Sequence, residues 1–261
     1  MHRASIWPFC FLYQPSPDCF LMSKSLCHAL VWIGTHNAIY KEWTDRTGRP
    51  LDLSETDPMK NPLLLPNVID SPLTPKGRDQ CAEQRPAACA LEGVELIVIS
   101  PLVRCLQTAH ITFEDHLPHN TPRMVKWMAH EGVREELGTL LCNKRRALSE
   151  TEPLFPCVDF TRVPHGEDDV MWENHIKRTA NDDGIPTRET MVDMSQRSYD
   201  FLVDFLQMRP EREMVVVGHS AWLLAMTRAV LDVDSDDEGL ITPMFGQAEM
   251  RSMELVFTEQ R

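Results

Sequence analysis

The sequence predicts an α/β fold, a three-layer sandwich with a mostly parallel central sheet, helices on both faces and a lid-like insertion. Three observations carry this. Glu95-Leu-Ile-Val-Ile-Ser100 and Met214-Val-Val-Val217 contain short apolar runs, the pattern of strands buried on both faces. Each run turns at once into a helical stretch, so strands and helices alternate and the strands come out parallel. A further helix between them, striped by Met194, Phe201, Phe205 and Met208, completes the alternation.

Taken in order, residues 1–33 differ in composition from the rest. They hold three cysteines and three prolines without a clear period of two or 3.6 before Ala29. The expectation is an atypical, mis-joined and partly disordered segment, with one short strand over residues 29–33 running into a loop at Gly34-Thr35-His36-Asn37. A signal peptide is disfavoured, because Pro15, Pro17, Asp18, Lys24 and His28 interrupt the apolar stretch. Thr74 followed by Pro75 predicts a helix start, and Pro86 predicts a break into two helical pieces. After the strand at 95–100, a helix over about 102–113 places Arg104 in its first turn. Residues 143–183 are polar, acidic and too long for an ordinary connection, hence the lid-like insertion. The striped helix is expected to be capped by Thr187 and stopped by Pro210. Val217-Gly218-His219-Ser220 then repeats the strand-to-helix corner, with a helix over 221–231.

Composition bounds the function. The 261 residues suit one main domain, read as 34–261. A net charge of −13 argues against broad binding to nucleic acid or anionic lipid, and no apolar run is long enough to predict a membrane span. Eight cysteines without CxxC spacing predict reduced thiols in a soluble cytoplasmic protein. No cofactor and no metal are expected, and the oligomeric state stays open.

Ligands of such sheets bind beyond the carboxyl ends of the strands, where Arg104 and His219 both fall. Arg104 at a helix start would add a fork of donors to backbone N–H groups already suited to an anion. Gly218-His219-Ser220 also resembles the start of a nucleophile elbow. Trp222 is too large for that turn, and no histidine follows Ser220, so a serine triad is disfavoured. His130-Glu131 and His165-Gly-Glu167-Asp168-Asp169 lack zinc-site spacing and read as solvated acidic loop. Lys144-Arg145-Arg146, the one dense basic run, reads as a solvated loop, with extra negative charge on a substrate as the functional alternative.

Read together, Asp70-Ser-Pro-Leu-Thr-Pro-Lys-Gly, Ser100-Pro-Leu-Val-Arg104-Cys-Leu-Gln-Thr-Ala, Val133-Arg-Glu135-Glu-Leu-Gly138 and Val217-Gly-His219-Ser220 resemble the histidine phosphatase, or phosphoglycerate-mutase-like, superfamily. The eukaryotic phosphoglycerate-mutase-like branch is similar also at Gly34-Thr-His36-Asn37, Cys142-Asn-Lys-Arg-Arg146 and Glu249-Met-Arg-Ser252. The resemblance implies hydrolysis of small phosphate monoesters through a phosphohistidine. It implies Arg104 as oxygen clamp, His219 as hydrogen-bond donor and Glu135 as acid and then base, with Glu131 and Glu136 as alternatives. It extends the substrate pocket to His36, Asn37 and Ser220. The chain departs from the resemblance before His36. Where the family carries an Arg-His pair at the end of the first strand, this chain reads Leu30-Val31-Trp32. An active natural form behind a mis-joined start is therefore set against a catalytically inactive phosphate-ligand-binding relative. A third reading is an interaction module built on residues 143–183.

Overall fold

The computed structural model describes residues 2–6, 22–30, 34–117, 120, 125–164, 167–182, 184–246 and 249–257, the first two segments as backbone alone. Among these, eight strands form one sheet: β1 (His2–Ile6), β2 (Met22–Leu30), β3 (Leu96–Ile99), β4 (Lys126–His130), β5 (Asp159–Arg162), β6 (Glu213–Gly218), β7 (Leu231–Val233) and β8 (Met250–Phe257). Their order is β5-β4-β3-β6-β2-β8-β1-β7. From β5 to β2 every neighbour is parallel. The β8-β1 pair is parallel too, while β2-β8 and β1-β7 are antiparallel.

Side-chain alternation along the strands separates two apolar layers. Leu96, Val98, Met128, Met214 and Val216 face one layer, with Leu202, Leu206, Trp222, Leu223 and Met226 packed over them. Ile97, Ile99, Trp127, Ala129, Val215 and Val217 face the other, covered by Cys105, Leu106, Ala109 and Phe113. All four side chains of β3 have no exposure, each contributing about 1.5–3 kcal/mol by burial. The three-layer α/β architecture expected from the apolar runs is what forms.

The helices are α1 (Thr35–Thr47), α2 (Pro75–Cys89), α3 (Val103–Thr112), α4 (Leu148–Thr151), α5 (Val170–Thr179), α6 (Met191–Asp200), α7 (Ser220–Ala229) and α8 (Glu238–Ile241). Several differ from expectation. Residues 35–37 are the first turn of α1, not a loop. The strand expected over 29–33 is β2, which starts seven residues earlier and ends at Leu30; residues 31–33 lie outside the described ones. Its pairing runs through backbone groups along β6 and β8, which composition does not report. Thr74 does cap α2, accepting from the Gly77 N–H at 3.0 Å. Helix α2 nevertheless runs unbroken through Pro86, because the carbonyl that loses its partner belongs to exposed Ala82, which solvent satisfies.

Thr190, not Thr187, caps α6 through a capping box with Asp193; the Thr187 carbonyl instead pairs with His175 Nε2 at 2.8 Å. A π-helical turn over Phe201–Leu206 extends α6 and leaves Met208, expected in the apolar stripe, 75% exposed. The stretch 143–183 carries α4, β5 and α5, and β5 joins the sheet edge in parallel with β4.

Candidate active site

Four parallel strands end level with one another to within a residue. Ile99 pairs with Ala129 on one side and Val217 on the other, and Leu30 of β2 pairs with Gly218. The residues that follow therefore converge beyond the carboxyl edge of the sheet. Ser100 continues the ladder by one bond, its N–H donating to the Val217 carbonyl at 2.9 Å.

Helix α3 starts three residues later, at Val103. The N–H of Val103 donates to Asp70 Oδ1 at 2.8 Å, so a carboxylate from a distant turn, favoured there by the helix dipole, fixes the helix start. The same carboxylate accepts from the Arg146 N–H at 3.1 Å. Burial pushes the Asp70 carboxyl up, opposed by these N–H groups and by Arg104 and Arg146. The Val103 N–H is thus taken by Asp70 and is not one of the free backbone donors that the sequence reading expected at this helix start.

Arg104, one residue further, is 1% exposed. Its Nη1 donates to the Cys142 carbonyl at 2.7 Å, and Nη2 to Asn143 Oδ1 at 3.0 Å and to His219 Nδ1 at 3.2 Å. A guanidinium only donates, so Nδ1 accepts. His219 caps α7 in extended geometry, φ −131°, and its Nε2 lies 2.8 Å from Ser100 Oγ. Burial first, then Arg104 and other cations, holds its imidazole well below the ordinary histidine range, so it is neutral at neutral pH.

Glu135 completes the group. Its Oε2 stands 3.8 Å from His219 Nδ1, with the side chain 17% exposed. Burial raises its carboxyl, against the opposing pull of Arg104, which suits a group that delivers a proton. Of the two alternatives, Glu131 is ion-paired to Arg134 at 3.0 Å and Arg145 at 3.3 Å, and Glu136 to Arg188, whose Nη2 is 2.7 Å from Oε2. Glu135 is the carboxylate that reaches His219.

The loop bearing Glu135 is held from outside. Arg197 donates to the carbonyls of Gly132 and Arg134 at 3.1 and 2.8 Å, and meets Glu189 at 3.0 and 2.7 Å. Arg134 has no side-chain exposure and is clamped by Asp169 at 2.6 and 2.8 Å. Asn143 ties the two halves together, accepting from Arg104 while its Nδ2 donates to the Glu136 carbonyl at 2.9 Å. At Gly138, φ 134°, a Cβ would fall 2.6 Å from the Arg188 backbone, so only glycine fits this approach.

Of the remaining predicted site residues, His36 lies beside Arg104. A Cβ at Gly34 would fall 2.7 Å from its ring and 3.6 Å from Arg104 Cδ. Its Nδ1 is buried without a hydrogen-bond partner among the described residues. Burial and then Arg104 push its imidazole down to about 3. Asn37 is exposed, its Oδ1 taken by the Gly34 N–H at 3.0 Å. Ser220 opens α7, half-buried.

The polar loops read as solvated are corrected. Glu131 and Asp169 are buried in ion pairs, and Arg145 is 3% exposed, because each has an opposite charge supplied by a remote segment. Lys144 pairs with Glu173 at 2.8 Å. His130 accepts from the Gly132 N–H and packs on Phe201 and Phe205. His165 lies outside the described residues. Sequence reasoning missed Asp70, Ser100, Asn143 and the Arg134 and Arg197 clusters as site supports. Asp70, Ser100 and Asn143 stand inside the quoted motifs, but nothing in the chain names their partners. Arg251 of the Glu249-Met-Arg-Ser252 motif is structural, donating to the Ile241 and Pro243 carbonyls at 3.0 and 2.8 Å. Among the described residues no three His, Cys, Asp or Glu are grouped to hold a metal, and no helix is long and apolar enough to cross a membrane.

A guanidinium, two neutral imidazoles and a raised carboxyl thus face one another at the sheet edge, a set suited to an oxyanion and to proton delivery. The sequence model of the histidine phosphatase superfamily (branch 1) matches residues 63–151. A phosphoglycerate mutase-like protein of Arabidopsis thaliana is 28% identical over 73% of this chain and 74% of its own length. Phosphoglycerate mutase-like protein 1 of the same plant is 30% identical over 62% and 61%. A solved structure titled mycobacterial hydrolase 1 superposes at TM-score 0.49 with 14% identity, over 92% of this chain and 98% of that one.

Proposed function

This chain belongs to the histidine phosphatase superfamily, and on that premise we propose that its Arg104, Glu135 and His219 pocket receives the phosphoryl group of a small phosphate monoester. The observation that carries the reading is the convergence of Arg104 Nη2 and Glu135 Oε2 on His219 Nδ1, at 3.2 and 3.8 Å.

In the reaction this supports, the Arg104 fork takes non-bridging oxygens and His219 donates to another. Glu135, kept protonated more readily by burial, gives its proton to the leaving oxygen. In the natural form, where a first-strand histidine that this chain lacks carries the phosphoryl group, Glu135 then takes a proton from the water that attacks phosphorus and releases that histidine. His36, with its Nδ1 unpartnered among the described residues, and Ser220 at the start of α7, next to His219, complete the corner in this reading. Asn37, its Oδ1 engaged by Gly34, contributes its amide. Hydrolysis is favoured over mutase transfer, since no group among the described residues of the site argues for holding a phosphoenzyme against water. All of these groups come from residues 34–261, which we take as the functional domain, with residues 143–183 inserted beside the site. The net charge of −13 favours a small ligand over nucleic acid, and the free thiols of the described cysteines suit a cytoplasmic setting.

The sequence before His36 favours a second reading for the chain as it stands. Residues 30–34 are Leu-Val-Trp-Ile-Gly, so the Arg-His pair implied for the nucleophile is missing and the pocket would bind phosphate esters without turnover. Hydrolysis of p-nitrophenyl phosphate, together with calorimetric titration of inorganic phosphate, decides between them. Turnover abolished by His219→Ala supports the hydrolase; phosphate binding without turnover supports the binder; neither binding nor turnover removes the pocket reading altogether.

A further inference from the structure

The mechanism leaves one buried hydroxyl unused. Ser100 follows β3, has no exposure, and places Oγ 2.8 Å from His219 Nε2. On the opposite side of the ring, Nδ1 accepts from Arg104 Nη2 at 3.2 Å. A neutral imidazole carries one proton. With Nδ1 accepting, the proton sits on Nε2 and Ser100 Oγ accepts it. The Cys105 thiol, 3.3 Å from the same nitrogen, is a weak partner and is directed to the Gly218 carbonyl at 3.6 Å.

A bound phosphoryl group changes this arrangement. Its oxygens draw the Arg104 N–H groups, and a hydrogen bond from His219 to phosphate requires the proton on Nδ1, the nitrogen that faces Arg104 and Glu135. Nε2 then becomes an acceptor. A hydroxyl turns to serve either state, as acceptor or as donor, which neither a carbonyl nor an amide N–H does.

We propose that Ser100 is a positioning residue that sets the tautomer of His219, accepting from Nε2–H in the free site and donating to bare Nε2 when a phosphoryl group is bound. The exchange is neutral overall: Nε2 releases one proton to solvent and Nδ1 takes one up. This rests on the phosphoryl reading of the site.

The test is 15N NMR of the histidine-labelled full chain, in which protonated and bare ring nitrogens are distinct, with His219 assigned by its loss in His219→Ala. Expected is a proton on Nε2 without ligand and on Nδ1 with saturating inorganic phosphate. Ser100→Ala should keep the Nε2 proton when phosphate is bound and bind phosphate about tenfold more weakly. Ser100→Thr, which restores the hydroxyl, should behave as the parent chain. If the added methyl prevents folding, the Ser100→Ala spectra decide alone. A parent chain with Nε2 protonated in both states overturns the proposal and leaves the phosphoryl site standing, as does a Ser100→Ala variant matching the parent in spectra and affinity. A parent chain that binds no phosphate overturns both.

Discussion

The two halves of the site are built differently. Arg104 and His219 reach it from strand-to-helix corners. The last ladder bond, Ser100 N–H to Val217 carbonyl at 2.9 Å, fixes where each side chain emerges. Glu135 instead sits in a loop whose shape comes from charged side chains of segments 35 to 63 residues away: Asp169 in an ion pair with Arg134, Arg197 donating to the Arg134 carbonyl, and Glu189 accepting from the Leu137 N–H. The Arg104–His219 half is therefore a product of backbone pairing, while the Glu135 half is a product of buried charge. Buried pairs are costly to break, because the surviving charge loses a partner, so the Glu135 half should be the more fragile.

The largest expected effect tests that fragility. Asp169→Ala leaves the unexposed Arg134 guanidinium with Glu131 as its remaining carboxylate, one that Arg145 shares, and should cost about 3 kcal/mol in urea denaturation. A loss below about 1 kcal/mol would mean that the loop does not depend on this pair. Next, Arg104→Ala should weaken inorganic phosphate binding about a hundredfold in calorimetry, with phosphate affinity unchanged as the contrary result. Gly138→Ala, forced against the Arg188 backbone at φ 134°, should destabilise by about 2–3 kcal/mol while a folded fraction keeps its phosphate affinity. Equal losses of stability and affinity would show the two halves to be one unit.

Glu135→Gln separates charge from shape. The Glu135 carboxyl is raised in the folded protein, so the folded state holds its proton more tightly than the unfolded chain. Its ionisation therefore costs stability as pH rises from the ordinary glutamate range through the raised value, and the cost is full above that. Gln should be more stable than Glu at neutral pH and no more stable at acid pH; the opposite order in chemical denaturation at the two pH values would overturn the assignment. The smallest effect is expected at Lys144 and Glu173, a half-buried pair of residues 143–183. Glu173→Gln should change stability by less than about 1 kcal/mol, setting a partly solvated ion pair against the buried one at Asp169.

Much of the Arg104–His219 half was legible in the chain. Leu96 to Ile99 and Met214 to Val217 announce buried strands by their unbroken apolar character, and the helices that follow put Arg104 and His219 at the carboxyl edge. Thr74 and Pro75 likewise mark a helix start through local chemistry. Pro86 misleads, because whether an unpaired carbonyl matters depends on the exposure of Ala82. Glu131, Asp169 and Arg145 mislead in the same way: a charged stretch reads as solvated until a partner from another segment neutralises it.

What the sequence determined by itself is thus the α/β alternation, the placement of Arg104 and His219, and the absence of an Arg-His pair before His36, all set by residues near in the chain. The tertiary structure alone decided that Glu135, and not Glu131 or Glu136, meets His219. It also decided that Ser100 stands on the far side of that ring, and that the acidic stretch closes on buried arginines. These depend on which remote charges and hydroxyls arrive within hydrogen-bonding distance, and no local periodicity encodes that.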